Sequence, residues 1–176
     1  MVALLQADRR ELAAAHESGH ATMAIHLGWQ IGNISLAHCE IRPRGALDPL
    51  QLALIDVAGD AGVIAKFGRP YLTRAALFHR LYIFDIDLLV GIDAIRSGDI
   101  EKLDDGHFQQ DADDALARLI EVDPDAEPEL IIRAYRRLER TALGILKARA
   151  REHNEICRQL LRHEAITRKE RRWWDY

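Results

Sequence analysis

ELAAAHESGHATMAIHLG, running from Glu11 to Gly28, reads as one helix closed by a glycine. Leu12, Ala15, Met23 and Leu27 supply apolar positions at helical spacing. Asp8 stands where an N-cap belongs, with Glu11 three residues on in a capping-box arrangement. Within this helix lies His16-Glu17-Ser18-Gly19-His20, an HExxH pattern. Residues four apart on an α-helix are offset by about 40° and about 6 Å along the axis, so both imidazoles can meet one ion. Glu17 lies about 60° from His20 on the same side, placed to take a proton from water on that ion. Zinc suits this chemistry, because it lowers the pKa of a bound water toward neutrality and the glutamate then delivers hydroxide to a carbonyl. The expectation is therefore a zinc site with His16 and His20 as ligands and Glu17 as the catalytic base.

The flanking sequence predicts the frame around that helix. Ile31, Ile34 and Leu36 alternate with polar neighbours, Ala37 to Ile41 extends the pattern, and Pro43-Arg44-Gly45 marks a turn, so short strands lie here. Pro49 can open a helix running from Leu50 to Phe67, which Gly68-Arg69-Pro70 breaks. Thr73 caps a further helical region that bends and continues to Arg96, and Ser97 to Gly106 is loop-like. Helix resumes near Phe108 and ends around Val122, and Glu129 to Arg162 reads as a charged helical hairpin. Thr167 with Glu170 could cap a last short helix. The fold class expected is mainly α with a small β-sheet (α+β): a zincin-like HExxH helix, two or three strands beside the metal with one edge open, and the C-terminal hairpin. Residues 1–176 should form a single domain, with 1–122 carrying the metal site and 127–176 the C-terminal helical part.

Composition narrows the partners. Formal net charge is 24 − 28 = −4, so no global basic field points to nucleic acid or an anionic membrane. The basic, aromatic run from Arg168 to Trp174 reads as a solvated helix end. Cys39 and Cys157 stand alone without CxxC spacing, which argues against a disulfide framework or a cysteine-built zinc site and favours a reducing compartment. Asp8-Arg9-Arg10-Glu11 interrupts any signal-peptide core, and Leu81 to Ile95 is too short to span a bilayer and carries Asp85, Asp87 and Asp93. A cytoplasmic protein is expected.

A catalytic zinc needs a third protein ligand and an open fourth position. His26 extends the motif to HExxHxxMxxH, but Met23 stands where a helix-ending glycine would be required, so the helix carries His26 about 120° away from His20. Glu40 lies twenty residues after His20, yet its surroundings read as strand and turn. Asp111, Asp113, Asp114 and His107 cluster at a helix start, where the dipole favours a carboxylate. The residues alone do not separate those four. Elsewhere, His38 beside Cys39 reads as a strand or loop histidine, Asp56 and Asp60 as the polar face of a helix, and Trp29 as a core residue. His79, His153 and His163 show no partner.

The sequence resembles the peptidase domain of the membrane-bound AAA metalloproteases, the FtsH family. Ala14-Ala15-His16-Glu17-Ser18-Gly19-His20-Ala21 is similar to that family's AYHEAGHA, and Ile41-Arg42-Pro43-Arg44-Gly45 to its IIPRG turn. Val57-Ala58-Gly59-Asp60-Ala61, followed by Phe67-Gly68, is similar to LAGRAAEELIFG. Gln110-Asp111-Ala112-Asp113-Asp114-Ala115 resembles SNDIxxA, whose aspartate is the third zinc ligand, and Glu164 to Glu170 resembles the closing ETLTxEE element. The likeness runs in order from about Ala14 to Glu170 and implies Asp111 as the third ligand. It departs from the family in lacking a P-loop, an AAA module and a membrane segment, in carrying Gly62 and Val63 where the family has paired glutamates, and in a shortened stretch between Gly45 and Leu52. In the family that stretch supplies an edge strand that aligns extended substrate. The function expected is a zinc-dependent metallopeptidase without its own ATPase, acting on short, unfolded or partner-delivered polypeptides as a homo-oligomer or with a separate partner protein. The alternative is a zinc-stabilised regulatory or interaction module with weak or no hydrolysis.

Overall fold

The computed structural model describes residues 9–68, 85–99 and 107–167, with the backbone alone at 107–109. The expected Asp8 cap, the Thr73 cap, the loop at 100–106, His79, the side chain of His107, Glu170 and the basic run from Arg168 lie outside what is described.

Helix α1 (Arg9–His26) runs through the centre of the molecule. Every residue from Ala14 to Ala24 is buried, although the segment is not an apolar run. Small side chains make this possible, since Ala14, Ala15, Ser18, Gly19, Ala21 and Thr22 let neighbours approach on every side. The helix ends as predicted: Gly28 takes φ +74°, a left-handed conformation that glycine adopts without strain. Trp29 follows it into the core.

The chain then forms β1 (Gln30–Ser35) and β2 (Cys39–Arg42), which pair antiparallel with Ile31 opposite Ile41 and Ile34 opposite Cys39. A bulge between Ile31 and Ile34 shifts the register. Helix α2 (Pro49–Asp56) begins with proline at its first position and with the Asp48 carboxylate accepting a hydrogen bond from the Leu50 N–H at 2.9 Å. Helix α3 (Ala58–Phe67) follows after Val57 alone. The single helix expected over 50–67 is thus two, and Val57 keeps helical dihedrals, so no breaker residue marks the joint. Gly68 (φ +80°) ends α3.

Helix α4 (Asp85–Ser97) packs on α5 (His107–Val122), which in turn lies along α2. Asp85 and Asp93 on α4 are exposed. Helices α6 (Pro128–Ala148) and α7 (Ala150–His163) fill the stretch expected to be a hairpin, but they meet at the single residue Arg149 and do not pack along their lengths. One residue cannot reverse the chain, so α6 lies on α3 while α7 lies on α1. Glu164, in left-handed conformation, turns the chain into β3 (Ala165–Ile166), a strand that the sequence reading did not foresee and that pairs antiparallel with β1. The sheet order is β2-β1-β3. Among the described residues the architecture is mainly helical with a three-stranded antiparallel sheet, which agrees with the expected α+β class. Buried residues from every helix, β1 and β3 form one core. No described helix is long and apolar enough to cross a membrane.

Candidate metal centre

Three ligand-type atoms converge between α1 and α5. His16 Nε2 lies 2.8 Å from Asp111 Oδ2, His20 Nε2 lies 3.2 Å from the same oxygen, and the two imidazole nitrogens are 3.0 Å apart. Around a tetrahedral ion with bonds near 2.0–2.1 Å, ligand atoms stand about 3.3–3.4 Å from one another. The triangle is therefore the right shape and needs to open by only a few tenths of an ångström. Two imidazole nitrogens this close repel unless a proton or a cation lies between them. This cluster of His16, His20 and Asp111 could hold a metal ion.

The groups behind the ligands fit the same purpose. His20 Nδ1 donates to the Ile55 carbonyl at 2.8 Å, which leaves its Nε2 free to face the triangle. His16 Nδ1 faces Asp60 Oδ1 at 3.5 Å. Burial opposes a charge on His16, but the Asp111 and Asp60 carboxylates outweigh it and push its pKa up to about 10. Burial would likewise raise the Asp111 pKa, yet the two imidazoles hold its carboxyl well below the usual carboxylate range. A Cβ at Gly59 would stand 2.4 Å from His16 Cε1 and 2.6 Å from each Nε2, so the backbone of α3 forms the floor beneath both rings. Gly19 and Gly62 meet the facing helix as closely: a Cβ at Gly19 would lie 2.2 Å from the Ala58 carbonyl oxygen, and one at Gly62 2.5 Å from that of Ala15.

The ligand triangle opens into a cleft of about 240 Å³. Glu17 is buried at its wall and accepts no hydrogen bond from any described residue. Cys39 and Ile41 of β2, with His38 before them, also line the cleft. Since β2 is the outer strand in the order β2-β1-β3, the sheet turns an outer strand toward the metal centre. Asp56 lies at the rim, where burial lifts its pKa to about 6 against the pull of the Arg118 guanidinium that donates to it at 2.6 Å.

Asp111, singled out by the resemblance, is the carboxylate at the cluster, but not through the geometry foreseen for it. Helix α5 begins at His107, so Asp111 sits one turn inside rather than at the helix end. Its position comes from packing: Ala112, Ala115, Leu116 and Leu119 are buried, and α5 lies along α2. Asp113 is turned to α4, with its Oδ1 3.0 Å from where a Cβ on Gly91 would stand, and Asp114 lies on the exposed rim of the cleft. Glu40 is folded over Gly32 at the bulge, where it accepts from the Asn33 N–H at 3.0 Å and from Arg42 Nε at 2.9 Å, away from the metal cluster. His26 is exposed at the end of α1. Sequence reasoning missed Asp60, which it assigned to a polar helix face, and His153, whose Nε2 donates to the Ala15 carbonyl at 3.1 Å and ties α7 to α1.

Compared with protein-family models and with curated proteins, the chain matches none.

Proposed function

We propose that this chain is a zinc-dependent metallopeptidase that needs no ATPase of its own, of the kind whose FtsH-type peptidase motifs its sequence resembles. The observation that carries this reading is the burial of the Glu17 carboxylate in the same cleft as the His16, His20 and Asp111 triangle. Two neutral imidazoles and one carboxylate are the donor set of a catalytic zinc with an open fourth position. A purely structural site closes that position and has no use for a general base beside it. When bound, zinc supplies Lewis acidity toward a carbonyl and toward water. The rest falls to the chain. His16 and His20 present Nε2 because their Nδ1 atoms face Asp60 and the Ile55 carbonyl. Glu17 takes the proton of the attacking water and returns it to the leaving amine. The outer strand β2 lines the cleft through Cys39 and Ile41, and an extended polypeptide laid against it would pass the metal with its backbone paired.

Metal analysis of the purified chain, with cleavage of an unfolded model polypeptide in the presence and absence of chelator, tests the proposal. The expected result is one zinc per chain and chelator-sensitive cleavage that Glu17→Gln lowers by about 10²–10⁴-fold while retaining zinc. Equal turnover by wild type and mutant would sink the general-base role. One observation favours the second reading, a zinc-stabilised interaction module. The cleft of about 240 Å³ falls below the roughly 300–1,000 Å³ common for ligand sites. Stoichiometric zinc with no cleavage of any unfolded polypeptide would decide for it.

A further inference from the structure

Helix α3 contributes no metal ligand, yet it carries a carboxylate aimed at one. Asp60 Oδ1 lies 3.5 Å from His16 Nδ1, and both atoms are sealed from water. The imidazole of His16 thus stands between two carboxylates, Asp111 at 2.8 Å from Nε2 and Asp60 beside Nδ1. His20 is backed differently, by the uncharged Ile55 carbonyl. The approach of Asp60 depends on the glycine floor, because a side chain at Gly59 would strike both rings and separate α3 from α1.

We infer that Asp60 is a positioning residue for His16, fixing its Nδ1–H tautomer and so committing the Nε2 lone pair to the metal. This rests on the metal-site reading above. A neutral imidazole carries one N–H, and the metal can use only the nitrogen that lacks it. With a cation held in the triangle, His16 Nε2 would carry no proton and the single N–H of the neutral ring would stand on Nδ1, facing Asp60. Once the ring closes the 3.5 Å gap, its Nδ1–H would donate to an ionised acceptor in a buried setting, a stronger bond than one to a neutral oxygen, and His16 would be a more basic ligand. Without a donor opposite, the Asp60 carboxylate would be a buried charge with no compensation.

Zinc affinity, measured by competition with a chromogenic chelator, tests this in wild type, Asp60→Asn, Asp60→Ala and the exposed control Asp93→Asn. The expected loss for Asp60→Ala is about 10–100-fold, with Asp60→Asn between it and wild type and the control unchanged. Imidazole ¹H–¹⁵N NMR of the zinc-loaded wild type should show His16 protonated on Nδ1, with that proton shifted downfield and exchanging slowly. In Asp60→Asn the downfield shift should shrink, which a merely structural role would not cause. The inference is overturned by zinc affinity within threefold of wild type in a folded Asp60→Ala. A His16 protonated on Nε2 in the loaded wild type overturns it equally, whether or not the variants fold. Failure of the wild type to take up zinc at all would overturn the metal-site reading itself, and this inference with it.

Discussion

Gly59→Ala adds one methyl group to the floor of the metal centre and should separate metal binding from folding. The new Cβ would stand 2.4 Å from His16 Cε1 where ordinary contact begins at 3.4 Å, a shortfall of 1.0 Å, and 2.6 Å from His16 Nε2 and His20 Nε2. The rings cannot retreat freely, since both histidines are buried and His20 is held at Nδ1 by Ile55. Overpacking of this kind costs about 1–3 kcal/mol, and replacing glycine by alanine inside a helix returns up to about 1 kcal/mol. Folding of the metal-free protein should therefore be unchanged or weakened by about 3 kcal/mol at most. Metal binding has far less tolerance. Ligand distances must hold to about ±0.2 Å, so an imidazole displaced by roughly 1 Å is lost as a ligand, and zinc affinity should fall more than about 100-fold. Gly144→Ala in α6 is the control, because a Cβ there meets nothing within 4 Å. It should stabilise the fold by about 0.5–1 kcal/mol and leave zinc affinity alone. Urea unfolding with chelator reads the first quantity and competition with a chromogenic chelator the second. A Gly59→Ala protein that binds zinc within threefold of wild type would refute the argument that α3 sets the position of the imidazoles.

Glu17→Gln should lower peptidase turnover by about 10²–10⁴-fold at full zinc occupancy, measured by initial rates on an unfolded polypeptide. Asp111→Ala should lose the thermal stabilisation that zinc gives wild type, about 2.7 kcal/mol at a hundredfold excess over Kd; a melting temperature that still rises with zinc would remove Asp111 from the ligand set. His16, raised to about 10, holds its extra proton at neutral pH in the metal-free protein, and zinc must displace it. Affinity should therefore weaken by about tenfold per pH unit as pH falls below about 10, with at least one proton released per zinc. Calorimetry in buffers of different ionisation enthalpy checks this, and identical heats in all of them would contradict it. His153→Ala should destabilise the fold by about 2–4 kcal/mol in urea, from the lost bond to the Ala15 carbonyl and the cavity left between α7 and α1.

What the sequence displays and what it hides divide along the range of the interactions involved. The HExxH pair, the end of α1 at Gly28 and the pairing of β1 with β2 rest on contacts between near neighbours, and spacing alone predicts them. Asp111 acts across 95 residues from His16. Nothing local separates it from Asp113 and Asp114, which the packing of α5 turns to other surroundings. The joints at Val57 and Arg149 carry neither glycine nor proline, so a continuous helical texture conceals the break in one place and the absence of a hairpin in the other. Asp60 is the most instructive miss. Four residues after Asp56 in an expected single helix it looks like part of a polar face, and only the approach of α3 to α1 sets it beside His16. That approach did leave a trace, because Gly19, Gly59 and Gly62 all sit inside helices, where glycine destabilises unless its lack of a side chain is used. Two helices that each give up side chains at a shared face are built to touch backbone to backbone. On α3, Asp60 follows such a glycine, and its Oδ1 reaches to 3.5 Å from His16 Nδ1 on the other helix.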